Sequence, residues 1–148
     1  MKPLRTCLCG SLVALAVALA PASSEAANVR LTLGGDYHMN SGALFNLMLG
    51  VDVPVVGPLT LGGRFGVLLA TANNALGVPL DLVLRANFRD VPIYLEGVVG
   101  PWIFFQGDAF RGHGAFGFGF QGRGLSLGIE VGWLDPSAHI GLRLGWRF

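Results

Sequence analysis

The chain has 148 residues, of which 52% are hydrophobic and 13% charged, with 10 Lys and Arg against 9 Asp and Glu. This near-neutral balance, with no basic patch, argues against an electrostatic nucleic-acid binder. Beyond the N-terminal segment no apolar run approaches the roughly 18 residues of a membrane helix, and no lysine follows Lys2, which is odd for a soluble surface. An apolar chain of this kind is either a soluble β-protein or a membrane barrel.

Residues 1–27 read as a secretory signal peptide. Lys2 and Arg5 form a basic start, Leu12 to Ala20 an apolar core, Pro21 breaks it, and small residues offer cleavage after Ala26 or Ala27. Both cysteines, Cys7 and Cys9, fall in this segment, so the expected mature chain has no disulfide and no thiolate chemistry. By length, 28–148 is one domain. Without Lys2, Arg5 and Glu25 its charges are eight arginines against eight carboxylates.

From there the chain alternates apolar and polar residues in eight segments, the signature of half-buried or lipid-facing strands. The first, about 29–38, puts Val29, Leu31, Leu33 and Tyr37 on one face. The second, about 42–53, carries Ala43, Phe45, Leu47, Leu49, Val51 and Val53; the third, about 58–70, Leu59, Leu61, Phe65, Val67 and Leu69. The fourth, about 78–88, has Val78, Leu80, Leu82, Leu84, Ala86 and Phe88; the fifth, about 92–104, Ile93, Leu95 and Val99. Pro101 makes the parity of Trp102 ambiguous, because a bulge there shifts every later residue to the other face. The sixth, about 113–121, has Phe116, Phe118 and Phe120; the seventh, about 124–133, Leu125, Leu127, Ile129, Val131 and Trp133. The last ends the chain with Ala138, Ile140, Leu142, Leu144, Trp146 and Phe148 on one face.

The opposite face carries every strand charge, and its other positions are mostly glycine. Pro-, Gly- or charge-rich links such as Gln121-Gly122-Arg123-Gly124 separate the segments, so sequence neighbours pair as an antiparallel meander. Periodicity alone does not say which face is buried. A soluble lipocalin-like barrel turns the apolar face inward; a membrane barrel turns it to lipid. Glycine is unfavourable on a water-facing strand, whereas inside a narrow eight-stranded barrel it makes room for a neighbouring Arg or Glu. Strands of about 10 residues tilted near 40° cover about 25 Å of membrane. Aromatics fall near segment ends, with Phe88, Phe120, Trp146 and Phe148 at one set and Tyr37 and Trp133 at the other, where interfacial girdles belong. The expected fold is therefore all-β, an eight-stranded antiparallel up-and-down transmembrane β-barrel with a lipid-facing apolar exterior and a polar, Gly-rich interior.

In this pattern 28–148 resembles the small eight-stranded outer-membrane barrels of Gram-negative bacteria, the OmpA/OmpX type. The resemblance is most specific in the terminal strand. Phe148, Trp146, Leu144, Leu142 and Ile140 match the signal that, in that family, the outer-membrane insertion machinery reads. It implies a bacterial outer-membrane location, with contacts to outer-membrane lipid and lipopolysaccharide. During biogenesis it implies periplasmic chaperones and the insertion machinery. Both termini and the three short turns then face the periplasm. The outer links are shorter than the extracellular loops common in such barrels, which weakens any carry-over of adhesion. A monomer with no cofactor, no metal and no nucleic-acid partner is expected.

Candidate chemistry lies inside. Arg64, Arg85, Glu96, Glu130 and Arg143 face inward near mid-depth, with Glu96 and Glu130 as expected partners of Arg143. They form either a plug of satisfied buried charge or a gate for small solutes or ions. Non-enzymatic, structural or narrowly channel-forming, is the leading reading. His38, His113 and His139 have no close ligand spacing. Ser137, His139 and a carboxylate such as Glu130 invite a lipid-modifying reading similar to the lipid A deacylases, although the His-x-Ser order is reversed. Gly112-x-Gly114-x-x-Gly117 opens a strand and lacks the helix that a dinucleotide fingerprint needs. Phe104, Phe105 and Phe110 cluster in the largest outer link, as interfacial anchors or as a lipid or partner contact.

Overall fold

The computed structural model describes residues 27–148 apart from Ser41 and Arg89; the predicted signal segment up to residue 26 lies outside the described residues. Eight strands follow one another: β1 (Asn28–His38), β2 (Gly42–Val56), β3 (Leu59–Ala70), β4 (Ala75–Asn87), β5 (Ile93–Phe104), β6 (Phe110–Gln121), β7 (Leu125–Leu134) and β8 (Ser137–Arg147). Each pairs antiparallel with the next, and β8 closes on β1, giving a barrel in chain order. Closure leaves no open edge, which hydrocarbon cannot tolerate.

The register fixes the barrel's shape. Following the paired positions Asn28, Asp52, Gly62, Val83, Val98, Ala115, Gly132 and His139 round the wall returns to His38, ten residues from the start. This stagger tilts the strands by about 40°. A register shift occurs between Pro54 and Val56 of β2, where the extra residue Val55 bulges. Pro101 causes none, and its pairing with Gly112 continues the register of Gly100 and Trp102. Trp102 therefore keeps the inward parity of Glu96 and is fully buried.

The alternating leucines and aromatics stand outside: Leu82 is 65% exposed, Phe116 56% and Phe118 47%. Phe88, Phe120, Trp146 and Phe148 are exposed at the end carrying Asn28 and Arg147, the terminal end; Tyr37 and Trp133 are exposed toward the other, the distal end. A soluble lipocalin-like barrel would need this surface inside.

The lumen is not uniformly polar, contrary to the sequence expectation. Its distal end is closed by an apolar cluster of Leu44, Met48, Leu68, Ala70, Ala75, Trp102, Phe104 and Leu134. The inward residues that alternate with glycine and charge include these large side chains, concentrated where the strands approach the links 39–41, 71–74, 105–109 and 135–136. Phe104 thus belongs to the lumen seal, not to an interfacial cluster, while Phe105 and Phe110 are 68% and 69% exposed.

Candidate functional site: the charged lumen

The five inward charges singled out in the sequence fall into two groups rather than one. The larger is built on Glu130 of β7, which is fully buried. Arg64 of β3 donates from Nη1 to Glu130 Oε2 at 2.8 Å and from Nη2 to Oε1 at 3.1 Å, while its Nε donates to Asp81 Oδ2 at 2.9 Å. Arg143 of β8 donates from Nη2 to Glu130 Oε1 at 2.6 Å and to Asp36 Oδ1 at 2.7 Å. Asn46 Nδ2 donates to Asp36 Oδ2 at 2.6 Å, and Trp102 Nε1 donates to Asp81 Oδ1 at 3.1 Å. Strands from both sides of the barrel are tied together across the lumen. Such forked contacts are the strong form of charge-assisted hydrogen bonding.

Arg85 and Glu96 form a separate pair nearer the terminal end. They lie directly opposite in the β4–β5 register, and Arg85 Nε donates to Glu96 Oε2 at 3.0 Å. The Arg85 guanidinium also stacks 4.0 Å from the Tyr94 ring centre. Glu96 is therefore the partner of Arg85 and not of Arg143. Beyond them, Arg30 Nη2 meets Asp52 Oδ1 at 3.2 Å.

Glycine placement explains how bulky guanidiniums fit. Arg143 is flanked in register by Gly34 on β1 and Gly128 on β7. A β-carbon at Gly141 would collide with Asp36 Oδ1 and Arg143 Nη1, and one at Gly34 with Asn46 Oδ1 and Arg143 Nη1. These glycines are seats for the network.

Little room is left. A cavity of about 30 Å³, lined among others by Arg30, Asp52, Arg64, Arg85, Glu96 and Arg143, lies on the terminal side of the network; it holds roughly two waters. A second of about 10 Å³ adjoins Arg30, Arg85 and Arg147. On the outer wall, β4 lacks ladder partners beside Pro79 and Pro101. An apolar dent of about 510 Å³ lies there, lined by Phe65, Leu80, Leu82, Val99 and Pro101.

The histidines are also closer than their sequence positions suggest. His38 and His139 are cross-strand partners. The His113 and His139 ring centres are 5.1 Å apart, and both rings neighbour Trp102. Ser137 and His139 both point inward, but Ser137 Oγ lies 3.0 Å from His38 Nε2 rather than against His139.

Sequence reasoning placed Asp36 and Asp81 on the inward face without assigning them to the network. The Arg64–Asp81 pair was readable from the β3–β4 hairpin, because the two residues lie directly opposite. The contacts across the lumen depend on the stagger, which no local signal encodes.

No family profile matches the chain, and no characterised protein sequence matches it. Two designed proteins share its architecture. A structure described as "De novo design of transmembrane beta-barrels" superposes with a TM-score of 0.64 at 10% identity, over 82% of this chain and 95% of that one. The solution NMR structure of the de novo designed TMB2.3 superposes with a TM-score of 0.61 at 9% identity, over 85% and 98%. At such identities the likeness speaks for the fold alone, and that fold is an eight-stranded antiparallel closed barrel of the transmembrane kind.

Proposed function

We propose that the protein is a bacterial outer-membrane β-barrel of the small OmpA/OmpX kind, monomeric and non-enzymatic, whose occluded lumen makes it a structural element of the membrane rather than an open channel. The carrying observation is the filling of the lumen in two consecutive layers. Side chains from Arg64, Glu130 and Arg143 bridge its middle, and Leu44, Leu68, Phe104 and Leu134 seal its distal end. A pore needs a continuous polar path, and the cavities on the terminal side of the network are small, about 30 and 10 Å³. The network on Glu130 and the separate Arg85–Glu96 pair act as the plug, not the gate.

Outer-membrane lipid and lipopolysaccharide are the natural surroundings of the exposed apolar wall. The terminal strand presents Ile140, Leu142, Trp146 and Phe148 outward, 51%, 61%, 39% and 81% exposed, with the half-buried Leu144 between them. That supports recognition by the insertion machinery and by periplasmic chaperones. Cell fractionation with heat-modifiable gel mobility tests the assignment. Folded protein in the outer-membrane fraction is the expected result; protein found in the soluble periplasm contradicts it.

A lipid-modifying enzyme has weaker support. His38 Nε2 lies 2.8 Å from the Leu134 carbonyl as well as 3.0 Å from Ser137 Oγ. A nitrogen facing a carbonyl oxygen must carry the proton, so in this arrangement it does not act as the base for Ser137.

A further inference from the structure

Three side chains converge on the distal edge of the charged network: His113 of β6, Glu130 of β7 and His139 of β8. Their strands are consecutive, and all three residues are buried. His113 Nε2 and His139 Nε2 each lie 3.6 Å from Glu130 Oε1, and one ligand atom from each residue falls within 4.8 Å of the others. A separation of 3.6 Å is too long for a hydrogen bond. It is close to the roughly 3.3–3.5 Å between ligand atoms on a tetrahedral ion with bonds of about 2.0–2.2 Å. In keeping with that, neither His113 Nε2 nor either ring nitrogen of His139 has a hydrogen-bond partner, although all are buried.

A second observation comes from Asp81. Its Oδ1 lies 2.8 Å from His113 Nδ1, and it accepts from Arg64 and Trp102 besides. A carboxylate in that position holds the proton on Nδ1, leaving the Nε2 lone pair directed at Glu130 and His139. Carboxylate, imidazole and open nitrogen in this order are the outer and inner shells of a histidine metal site. Charge is the third. Asp36, Asp81 and Glu130 face Arg64 and Arg143, and the imidazoles of His113 and His139 lie against Asp81 and Glu130 as well. Neutral imidazoles, the form that ligates a metal, leave this group one negative charge in excess, which the bound cation offsets.

We propose that His113, His139 and Glu130 form a binding site for a divalent cation of the imidazole-preferring class, with Zn²⁺ as its type. Two nitrogens and one oxygen suit Zn²⁺, Co²⁺, Ni²⁺ or Cu²⁺; Ca²⁺ and Mg²⁺ select all-oxygen shells. Arg64 holds Glu130 through both its oxygens and Arg143 through Oε1, so an ion bound at Oε1 lengthens one of those two contacts. The ion clamps β6, β7 and β8 at the level where the lumen changes from charged to apolar filling. Because that site is walled off on both sides, it loads as the barrel folds.

The test uses untagged protein purified from membranes, unfolded in chelator and refolded into micelles with Co²⁺. Stoichiometric retention after gel filtration is expected, with visible d–d absorption and no thiolate charge-transfer band. His113→Gln and His139→Gln should each lower affinity at least tenfold, Asp81→Asn by roughly 10–100-fold, and His38→Gln should leave binding intact. Refolded wild type without bound ion, a thiolate band, or occupancy that survives both glutamine substitutions overturns the proposal. Should those variants fail to fold, electron paramagnetic resonance of Cu²⁺ in the wild type decides: coupling to two imidazole nitrogens is expected, and one or none contradicts the site.

Discussion

The middle and the distal end of the lumen solve the same problem with opposite chemistry. Both must fill a tube too narrow for bulk water yet wide enough for side chains. In the middle, Arg64, Arg143, Glu130, Asp36 and Asp81 fill it with paired charge seated on glycines. At the distal end Leu44, Leu68, Phe104 and Leu134 fill it with hydrocarbon. The difference lies in how each fails. A charge network is unforgiving of one missing partner, because the remaining charge is buried alone. An apolar cluster loses transfer energy and gains a void, and it can partly collapse.

This contrast sets an order of effects for unfolding in lipid vesicles followed by tryptophan fluorescence. Glu130→Ala leaves Arg64 with Asp81 alone and Arg143 with Asp36 alone, removes three buried charge-assisted hydrogen bonds, and should cost about 3–5 kcal/mol; a loss of a few tenths would mean a wet interior. Leu82→Arg, on the lipid face near the middle of β4, should cost roughly 2–4 kcal/mol. An unchanged stability there would mean that the faces are reversed. Leu68→Ala should cost about 2–3 kcal/mol, the lower part of the range for a buried leucine. A cost equal to that of Glu130→Ala would erase the distinction between the two layers. Asp52→Asn, in a pair beside the two-water cavity, should cost on the order of 1 kcal/mol, because the amide oxygen still accepts from Arg30.

Much of the fold was legible because a barrel is written in period-two alternation. Each apolar residue from Phe45 to Trp146 that the sequence put on one face is on the outer wall, and the strand ends moved by a few residues. The filling was less legible. Arg85 and Glu96 face each other across one hairpin, a distance that register alone determines. Glu130 finds Arg64 through the lumen from four strands away, and that contact exists only once stagger and diameter are set. Trp102 was ambiguous because Pro101 can either bulge a strand or simply omit a donor; here the ladder absorbs it without a shift. The bulge falls instead beside Pro54, near the end of β2, where a local shift disturbs few partners. The pairing of His113 with His139 was missed because the two are separated by a whole strand in the chain, and their rings come together only where the barrel wall curves around Glu130.

The occlusion of the lumen is the claim on which the functional reading rests. Purified protein reconstituted into planar lipid bilayers tests it most directly. The two-layer filling predicts a quiet membrane, with no stable ohmic steps at moderate voltage and salt. Reproducible, long-lived conductance steps from the wild-type barrel would contradict it.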